Sequence, residues 1–127
     1  MNQIEIILGP TNTGKTFYAF EQMFSFKNGV FGFPLRLLAR ENYDKACKLY
    51  PINQIALITG EEKIIPPEAK YFFCTVESMP DDFFEFVCVD EIQLASDYER
   101  GHIFTQRLLY SRGEQKTIFL GSLTMEE

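Results

Sequence analysis

Short apolar runs alternate with segments of helical periodicity along this chain. Strand-like runs occupy residues 4–8, 30–33, 55–58, 71–75, 86–89 and 117–120. Apolar residues recur at helical spacing over residues 15–26, 35–50 and 103–110, and prolines at positions 34 and 51 bound the second of these segments. Residues 64–67 predict a turn or an edge segment. Strands that alternate with helices predict an α/β fold with a mainly parallel sheet and helices on both faces.

The segment between the first strand and the first helix has the sequence GPTNTGKT and fits the phosphate-binding pattern G-x-x-x-x-G-K-[ST]. Glycines allow backbone N–H groups to turn inward around an anion, and the helix N-terminus adds partial positive charge. Lys15 can reach the outer phosphates, and the Thr16 hydroxyl can bind Mg²⁺. The alternative is a chance glycine turn before a helix. The predicted nucleotide-binding residues are Gly9, Pro10, Thr11, Asn12, Thr13, Gly14, Lys15 and Thr16.

A second candidate site follows the strand at residues 86–89, where Asp90 and Glu91 stand side by side. Parallel strands place their carboxyl ends at one edge of a sheet, where ligands bind. Asp90 can therefore hold Mg²⁺ together with Thr16, and Glu91 can polarise the water that attacks the γ-phosphate. The alternative is that both acids only stabilise the N-terminus of a following helix.

Composition excludes some classes of protein. The 127 residues suffice for one domain, and 46% are hydrophobic. No apolar run approaches the roughly 20 residues that span a bilayer, so no membrane association is expected. The three cysteines form no C-x-x-C pair, and no targeting segment is visible, so reduced thiols and a cytoplasmic location are expected. The net charge of −6 argues against general nucleic-acid binding, and the positive groups that could meet a polyanion lie mainly in the first 50 residues.

Six short motifs then occur in one order: GPTNTGKT, PLRLLARE at 34–41, TGEE at 59–62, TVE at 75–77, DEIQ at 90–93 and GSLT at 121–124. This series resembles the first RecA-like domain of the suppressor-of-Var helicases, the DExH-type RNA helicases of the mitochondrial degradosome and their bacterial relatives. The resemblance covers nearly the whole chain. It implies a RecA-like P-loop NTPase fold for residues 1–127.

The resemblance also implies roles for individual residues. ATP and Mg²⁺ would be the cofactors, and Lys15, Asp90, Glu91 and Gln93 would be catalytic, with Gln93 coupling the site to a second RecA-like domain. Residues that would contact the RNA backbone are Pro34, Arg36, Arg40, Thr59, Gly60 and Thr75. Ser122 and Thr124 would couple hydrolysis to strand separation, although Leu123 replaces the alanine of the usual S-A-T motif.

Physical reasoning leaves two interpretations of the RNA-binding candidates open. Arg36 and Arg40 lie one helical turn apart and can both bind phosphates with their guanidinium groups. Alternatively, they cover the adjacent leucines and pair with Glu41 or Asp44. Thr59 and Gly60 could equally form a plain turn. Ser122 and Thr124 could be ordinary hydroxyls at the end of a strand.

Residues 1–127 are expected to hold the first RecA-like domain without the second, which in such helicases supplies arginines that complete the ATP site. We therefore expect a partner domain in cis or trans, and an RNA-degradation partner is compatible with the resemblance. Loss of an arginine finger costs about 10³–10⁵ in rate, so the isolated chain should bind nucleotide and hydrolyse it poorly. Two alternatives stay open: a P-loop nucleoside kinase of the thymidine-kinase type, although its usual zinc-ligand cysteines are missing, and a truncated non-catalytic module that binds nucleotide or RNA.

Overall fold

The computed structural model describes residues 3–9, 15–80, 84–90 and 115–122, and at positions 3, 6, 8, 9, 15, 121 and 122 it describes the backbone only. The strands are β1 (Gln3–Gly9), β2 (Gly29–Phe33), β3 (Ile55–Ile58), β4 (Lys63–Ile64), β5 (Tyr71–Thr75), β6 (Phe86–Val89) and β7 (Lys116–Ser122). The α-helices are α1 (Lys15–Met23) and α2 (Arg36–Leu49), and 3₁₀ turns cover Ile52–Gln54 and Val76–Ser78.

The strands form one sheet in the order β1-β7-β6-β2-β5-β3-β4. All neighbouring pairs are parallel except β3 and β4, which pair antiparallel through Leu57↔Ile64 and Ile58↔Lys63. The six parallel strands therefore place their carboxyl ends at one edge of the sheet, which we call the carboxyl edge. This confirms the prediction of a mainly parallel α/β sheet.

Both described helices pack on the same face of the sheet. Phe20 of α1 and Tyr43 of α2 belong to one apolar cluster with Phe31, Phe33 and Phe73 from the central strands. The Phe31 and Phe33 rings stack at 4.5 Å between centroids, and Phe20 meets Phe31 edge-on at 5.7 Å. The opposite face carries a smaller cluster that includes Val30, Cys74, Met79, Phe84 and Val87. The third predicted helix, residues 103–110, lies outside the described residues.

Helix α1 ends at Met23, three residues earlier than its apolar pattern predicts. The Ser25 hydroxyl donates a hydrogen bond to the Gln22 carbonyl at 2.6 Å, and the Ser25 amide donates to the same oxygen at 3.1 Å. A local side-chain bond of this kind competes with the helical ladder and tightens the last turn. The chain then reaches Gly29, where an added Cβ would lie 2.7 Å from Met23 Cγ.

The apolar spacing at positions 17, 20, 23 and 24 predicts that all four residues belong to the core, and for Phe17 this prediction is wrong. Phe20 and Met23 are buried, but 52% of the surface of Phe17 is exposed. The i, i+3 spacing identifies the face of a helix, but it does not show how far the neighbouring element extends along that face. Here Phe17 lines a cavity between α1 and α2 that no other side chain fills completely, so it remains half exposed.

Candidate functional site

Strands β1 and β6 and helix α1 carry or adjoin the described residues that the sequence assigns to a nucleotide site, and β7, with the coupling candidate Ser122, lies between the two strands. Gly9 ends β1 and lies opposite Ser122 in the parallel pairing with β7. Asp90 directly follows β6, which is the next strand in the sheet, and Lys15 begins α1. The carboxyl edge therefore brings together segments that are far apart in sequence. Predicted residues Pro10, Thr11, Asn12, Thr13, Gly14, Glu91, Gln93 and Thr124 lie outside the described residues.

Asp90 is only 6% exposed, and its amide donates a hydrogen bond to the Gly32 carbonyl at 2.9 Å. Burial raises the pKa of the neighbouring Cys88 thiol well above its ordinary value, and the Asp90 charge raises it further. A buried carboxylate at the end of a strand is held in place by its backbone, so it can act as a fixed ligand or acid.

The donor chemistry of Thr16 and Asp90 fits Mg²⁺. Both offer hard oxygen ligands, and Mg²⁺ commonly takes only one or two protein oxygens while water and phosphate oxygens complete its shell. Thr16 is half-buried at the start of α1, directly after Lys15. Within the described part of the chain, no group of three or more His, Cys, Asp or Glu residues is arranged to hold a metal ion.

The next three strands carry the residues assigned to RNA. Pro34 follows β2 and is buried, Thr75 ends β5, and Thr59 follows β3. These strands are neighbours in the order β2-β5-β3. Along the carboxyl edge, the candidate RNA residues therefore occupy one half and the candidate nucleotide residues the other.

Thr59 organises a tight turn. Its hydroxyl oxygen accepts hydrogen bonds from the amides of Glu61 and Glu62 at 3.2 and 3.0 Å, and its own amide donates to the Glu62 carbonyl at 2.8 Å. The side chain is buried. The structure thus shows the turn that physical reasoning left open, with the Thr59 hydroxyl engaged inside it and Gly60 exposed beside it.

Thr75 has an unusual environment. It is 3% exposed, and its hydroxyl oxygen has no hydrogen-bond partner among the residues that the structure describes. A buried polar atom without a partner costs about 1–3 kcal/mol, so native structures contain few of them. The position of this atom at the carboxyl edge, beside the segment that leads into α2, makes it a candidate contact for a ligand.

Arg36 and Arg40 make ion pairs that the sequence did not predict. Arg36 Nη1 lies 3.0 Å from Glu61 Oε1, and Arg40 Nη1 lies 3.1 Å from Glu62 Oε2. Arg40 Nε also pairs with Asp44 at 3.3 Å, as the alternative interpretation allowed. Glu61 and Glu62 belong to the TGEE motif, in which only Thr59 and Gly60 were assigned a role. The two acidic residues of that motif were the sequence signal for these ion pairs.

A shallow cavity of about 320 Å³ lies between α1 and α2. It is mainly apolar, and Lys45 and Lys48 stand beside the exposed Phe17 and Leu49. Sequence reasoning missed it because it placed Phe17 in the core. None of the described helices combines the length and the apolar character that a membrane crossing requires.

Comparisons with known proteins agree with this fold. A family model described as the DEXQ-box helicase domain of Suv3 matches residues 2–122. The chain is 42% identical over 110 residues to a mitochondrial DExH-box ATP-dependent RNA helicase, DExH18, of Arabidopsis thaliana, and 40% identical over 107 residues to the human mitochondrial ATP-dependent RNA helicase SUPV3L1. These matches cover 84% and 80% of this chain but only 14% and 13% of the relatives.

Solved structures show the same fold at low sequence identity. The helicase domain of Pyrococcus furiosus Hef matches with a TM-score of 0.69 at 17% identity, covering 98% of this chain and 30% of that chain. An arterivirus helicase, nonstructural protein 10, solved with DNA, matches with a TM-score of 0.67 at 15% identity, covering 96% of this chain and 29% of that chain. The fold is thus that of a RecA-like helicase domain.

The family model narrows this assignment from a fold to one family. The match over residues 2–122 shows that the chain belongs to the family of Suv3 DEXQ-box helicase domains. It spans about one seventh of the length of the curated relatives that it matches.

The prediction of a cytoplasmic location is wrong, because the relatives from Arabidopsis thaliana, human and Saccharomyces cerevisiae are mitochondrial helicases. Reduced cysteines exclude only an oxidising compartment and do not distinguish one reducing compartment from another. Because the chain matches so small a part of its relatives, its first residues carry no information about a targeting segment.

Proposed function

We propose that this chain is the ATP-binding first RecA-like domain of an RNA helicase, in which Mg-ATP hydrolysis is coupled to strand separation when a second RecA-like domain is present. The observation that carries the proposal is the division of the carboxyl edge. Strands β1 and β6 lead to the candidate nucleotide residues, β7 between them ends in the coupling candidate Ser122, and β2, β5 and β3 lead to candidate RNA residues. A motor needs two such sites on one rigid element, so that a change at one can alter the other.

On the nucleotide side, residues 9–16 would bind the phosphates through backbone amides and the Lys15 ammonium group. Thr16 and Asp90 would hold Mg²⁺, which neutralises the charge that develops on the phosphates during transfer. Glu91 would accept a proton from the attacking water. Burial of Asp90 supports this assignment, because a carboxylate held at a fixed position loses little free energy to reorganisation when the metal ion binds.

On the RNA side, Arg36 and Arg40 lie on one face of α2, and both remain substantially exposed. Guanidinium groups bind phosphate oxygens in a bidentate manner, and such contacts fix the position of a strand without reading its sequence. Gly60 presents its backbone nearby, since an added Cβ would meet no atom within 4 Å. We therefore propose contact with the RNA backbone and no base-specific recognition.

A second RecA-like domain, in cis or in trans, would supply the arginines that stabilise the transition state. We accordingly propose that the 127-residue chain alone binds Mg-ATP and hydrolyses it slowly. Membership of the Suv3 helicase family favours a helicase domain over a nucleoside kinase, and the relatives are named ATP-dependent RNA helicases. An RNA-degradation partner is part of the same proposal.

Titration calorimetry with Mg-ATP, in the presence and absence of a single-stranded oligouridine, tests the proposal. We expect Lys15→Ala to weaken ATP binding by about 10- to 100-fold, the range expected for loss of one charge-assisted contact. Lys70→Ala, which changes the charge equally at an exposed position just before β5 and so at the end of the strand opposite the carboxyl edge, is the control and should leave ATP affinity unchanged. Equal ATP affinity for Lys15→Ala and the unmodified chain would refute the phosphate-loop assignment.

A further inference from the structure

The ion pairs between α2 and the turn at residues 59–62 connect two motifs that are both assigned to RNA. Arg36 pairs with Glu61, and Arg40 pairs with Glu62, so each candidate phosphate ligand already has a carboxylate at hydrogen-bonding distance. The pairs join residues 25 and 22 positions apart in sequence. They are therefore a property of the tertiary structure and not of the helix alone.

The turn that presents these carboxylates is well defined. The Thr59 hydroxyl accepts hydrogen bonds from the amides of both glutamates, and β3 and β4 hold the two ends of the turn. The backbone of both glutamates is consequently fixed within reach of the arginines, and this placement does not depend on the exposed ion pairs, which are too weak to hold it.

A phosphate that approaches Arg36 or Arg40 meets this negative charge. Either the carboxylate leaves the guanidinium group, or the phosphate binds beside it against like-charge repulsion. Both routes lower the affinity for RNA. The opposite effect, in which the glutamates hold the arginines ready for binding, is smaller here, because exposed pairs restrict long side chains only weakly.

We propose that Glu61 and Glu62 are internal competitors of RNA phosphates for Arg36 and Arg40, so that RNA binding exchanges two intramolecular ion pairs for two phosphate contacts. This inference rests on the proposed RNA-binding function and names the residues that regulate its strength. Glu61 and Glu62 are positioning residues, since they act on RNA through the arginines. The exchange weakens the grip on each phosphate, which suits a protein that must release one nucleotide to take the next.

The test is the affinity of the full 127-residue chain for a fluorescent oligouridine, measured by anisotropy. Each exposed pair lowers affinity by a factor of about 2 to 5, so the double variant Glu61→Gln/Glu62→Gln should bind about 4- to 25-fold more tightly. Glu21→Gln/Glu68→Gln changes the net charge equally at exposed positions outside the turn and should tighten binding much less. Thermal unfolding of each variant checks that the fold is unchanged.

Salt dependence provides a readout that a purely structural role would not alter. When the glutamates are removed, the phosphate contacts no longer replace existing ion pairs, so net ion release on binding increases. We expect the slope of log affinity against log salt to become steeper for Glu61→Gln/Glu62→Gln, by up to about 0.7 for each contact to a single strand. The variant Glu61→Asp/Glu62→Asp keeps both carboxylates on shorter side chains. Its RNA affinity and salt slope should therefore lie between those of the glutamine variant and those of the unmodified chain.

Failure of this inference is distinguishable from failure of the proposed function. Arg36→Gln/Arg40→Gln should weaken RNA binding, and adding the two glutamine substitutions at 61 and 62 to that variant should produce no further change. If the arginine variant binds RNA normally, the proposed RNA site is wrong. If the arginine variant binds RNA weakly but Glu61→Gln/Glu62→Gln binds no more tightly than Glu21→Gln/Glu68→Gln, the competition is refuted. It is also refuted if the substitutions at 61 and 62 raise RNA affinity equally when the arginines have been replaced.

Discussion

The amide of Asp90 donates a hydrogen bond to the carbonyl of Gly32 at 2.9 Å, at the boundary between the two halves of the carboxyl edge. Asp90 is the candidate magnesium ligand, and Gly32 lies two residues before Pro34, which leads into the arginine-bearing helix α2. This bond completes the last pair of the β6–β2 ladder, Gly32↔Val89. It gives a direct backbone connection between the candidate nucleotide and RNA sites.

A substitution at Gly32 would show how tightly side chains pack at this boundary. A Cβ at Gly32 would lie 2.6 Å from Met79 Sδ, whereas a Cβ at Gly60 would meet no atom within 4 Å. We expect Gly32→Ala to lower the free energy of unfolding by about 1–2 kcal/mol, because Met79 is buried and must move. Gly60→Ala should change it by less than about 0.5 kcal/mol. Denaturant titration measures both, and equal stability of the two variants would contradict the packing argument.

The same Gly60→Ala variant tests the proposed RNA contact. Because the added methyl group has open space in the free chain, a loss of RNA affinity would come from close approach of the RNA backbone. We expect affinity for oligouridine to fall with no change in ATP affinity. Unchanged RNA binding would remove Gly60 from the proposed interface and leave the arginine contacts in place.

Thr75→Val should raise stability and weaken RNA binding at the same time. The substitution keeps the shape of the side chain and removes a buried hydroxyl without a described partner, so we expect a gain of about 0.5–1 kcal/mol in unfolding free energy. Thr117, an equally buried threonine of β7, does have an interaction partner. Thr117→Val should therefore lower stability by about 1 kcal/mol. A stabilised Thr75→Val that binds RNA normally would show that the hydroxyl has no part in binding.

Lys116 anchors β7 to α1 and β1. Its ammonium group lies 3.2 Å from Glu5 Oε1 and 2.9 Å from Gln22 Oε1, and its side chain is only 13% exposed. We expect Lys116→Met to lower the free energy of unfolding by about 1–2 kcal/mol, because two polar partners lose a charged donor. Lys45→Met, which breaks an exposed i, i+4 pair with Glu41, should cost less than about 0.5 kcal/mol. Thermal and chemical unfolding of the two variants should rank them in this order.

Stability should fall at alkaline pH. Burial raises the pKa of Tyr43 to about 12, with a contribution from its hydrogen bond with Cys47, and burial raises the pKa of the Cys88 thiol well above 9.0. Above about pH 9 the unfolded chain loses these protons before the folded chain does, so the unfolding free energy decreases as pH rises, by at most about 1.4 kcal/mol per pH unit for each group. Below that pH the contribution is fully present.

A Cys88→Ala variant isolates one of these groups. It should be less stable than the unmodified chain at neutral pH, because a buried side chain is shortened, but its stability should decline less steeply between about pH 9 and pH 10.5. Parallel pH profiles for the two chains would show that Cys88 does not contribute to the alkaline loss.

Local pattern was enough to predict most of the secondary structure. The strands β3, β5 and β6 have the limits expected from their apolar runs, since a short run bounded by turn residues identifies a buried strand. The limits of α1 and β7 were less well predicted. The first depends on a side-chain bond from Ser25, and the second depends on how far β1 extends beside β7.

The sequence by itself determined the fold class, the phosphate-loop motif and the series of helicase motifs, because each strand, helix and motif consists of residues that are close together along the chain. Only the tertiary structure decided the order of the strands, which places Asp90 beside Gly32 and Arg36 beside Glu61. It also decided that Thr59 supports a turn and that Phe17 stays at the surface. These features depend on which distant segments pack against each other, and periodicity along one segment carries no information about its neighbours in space.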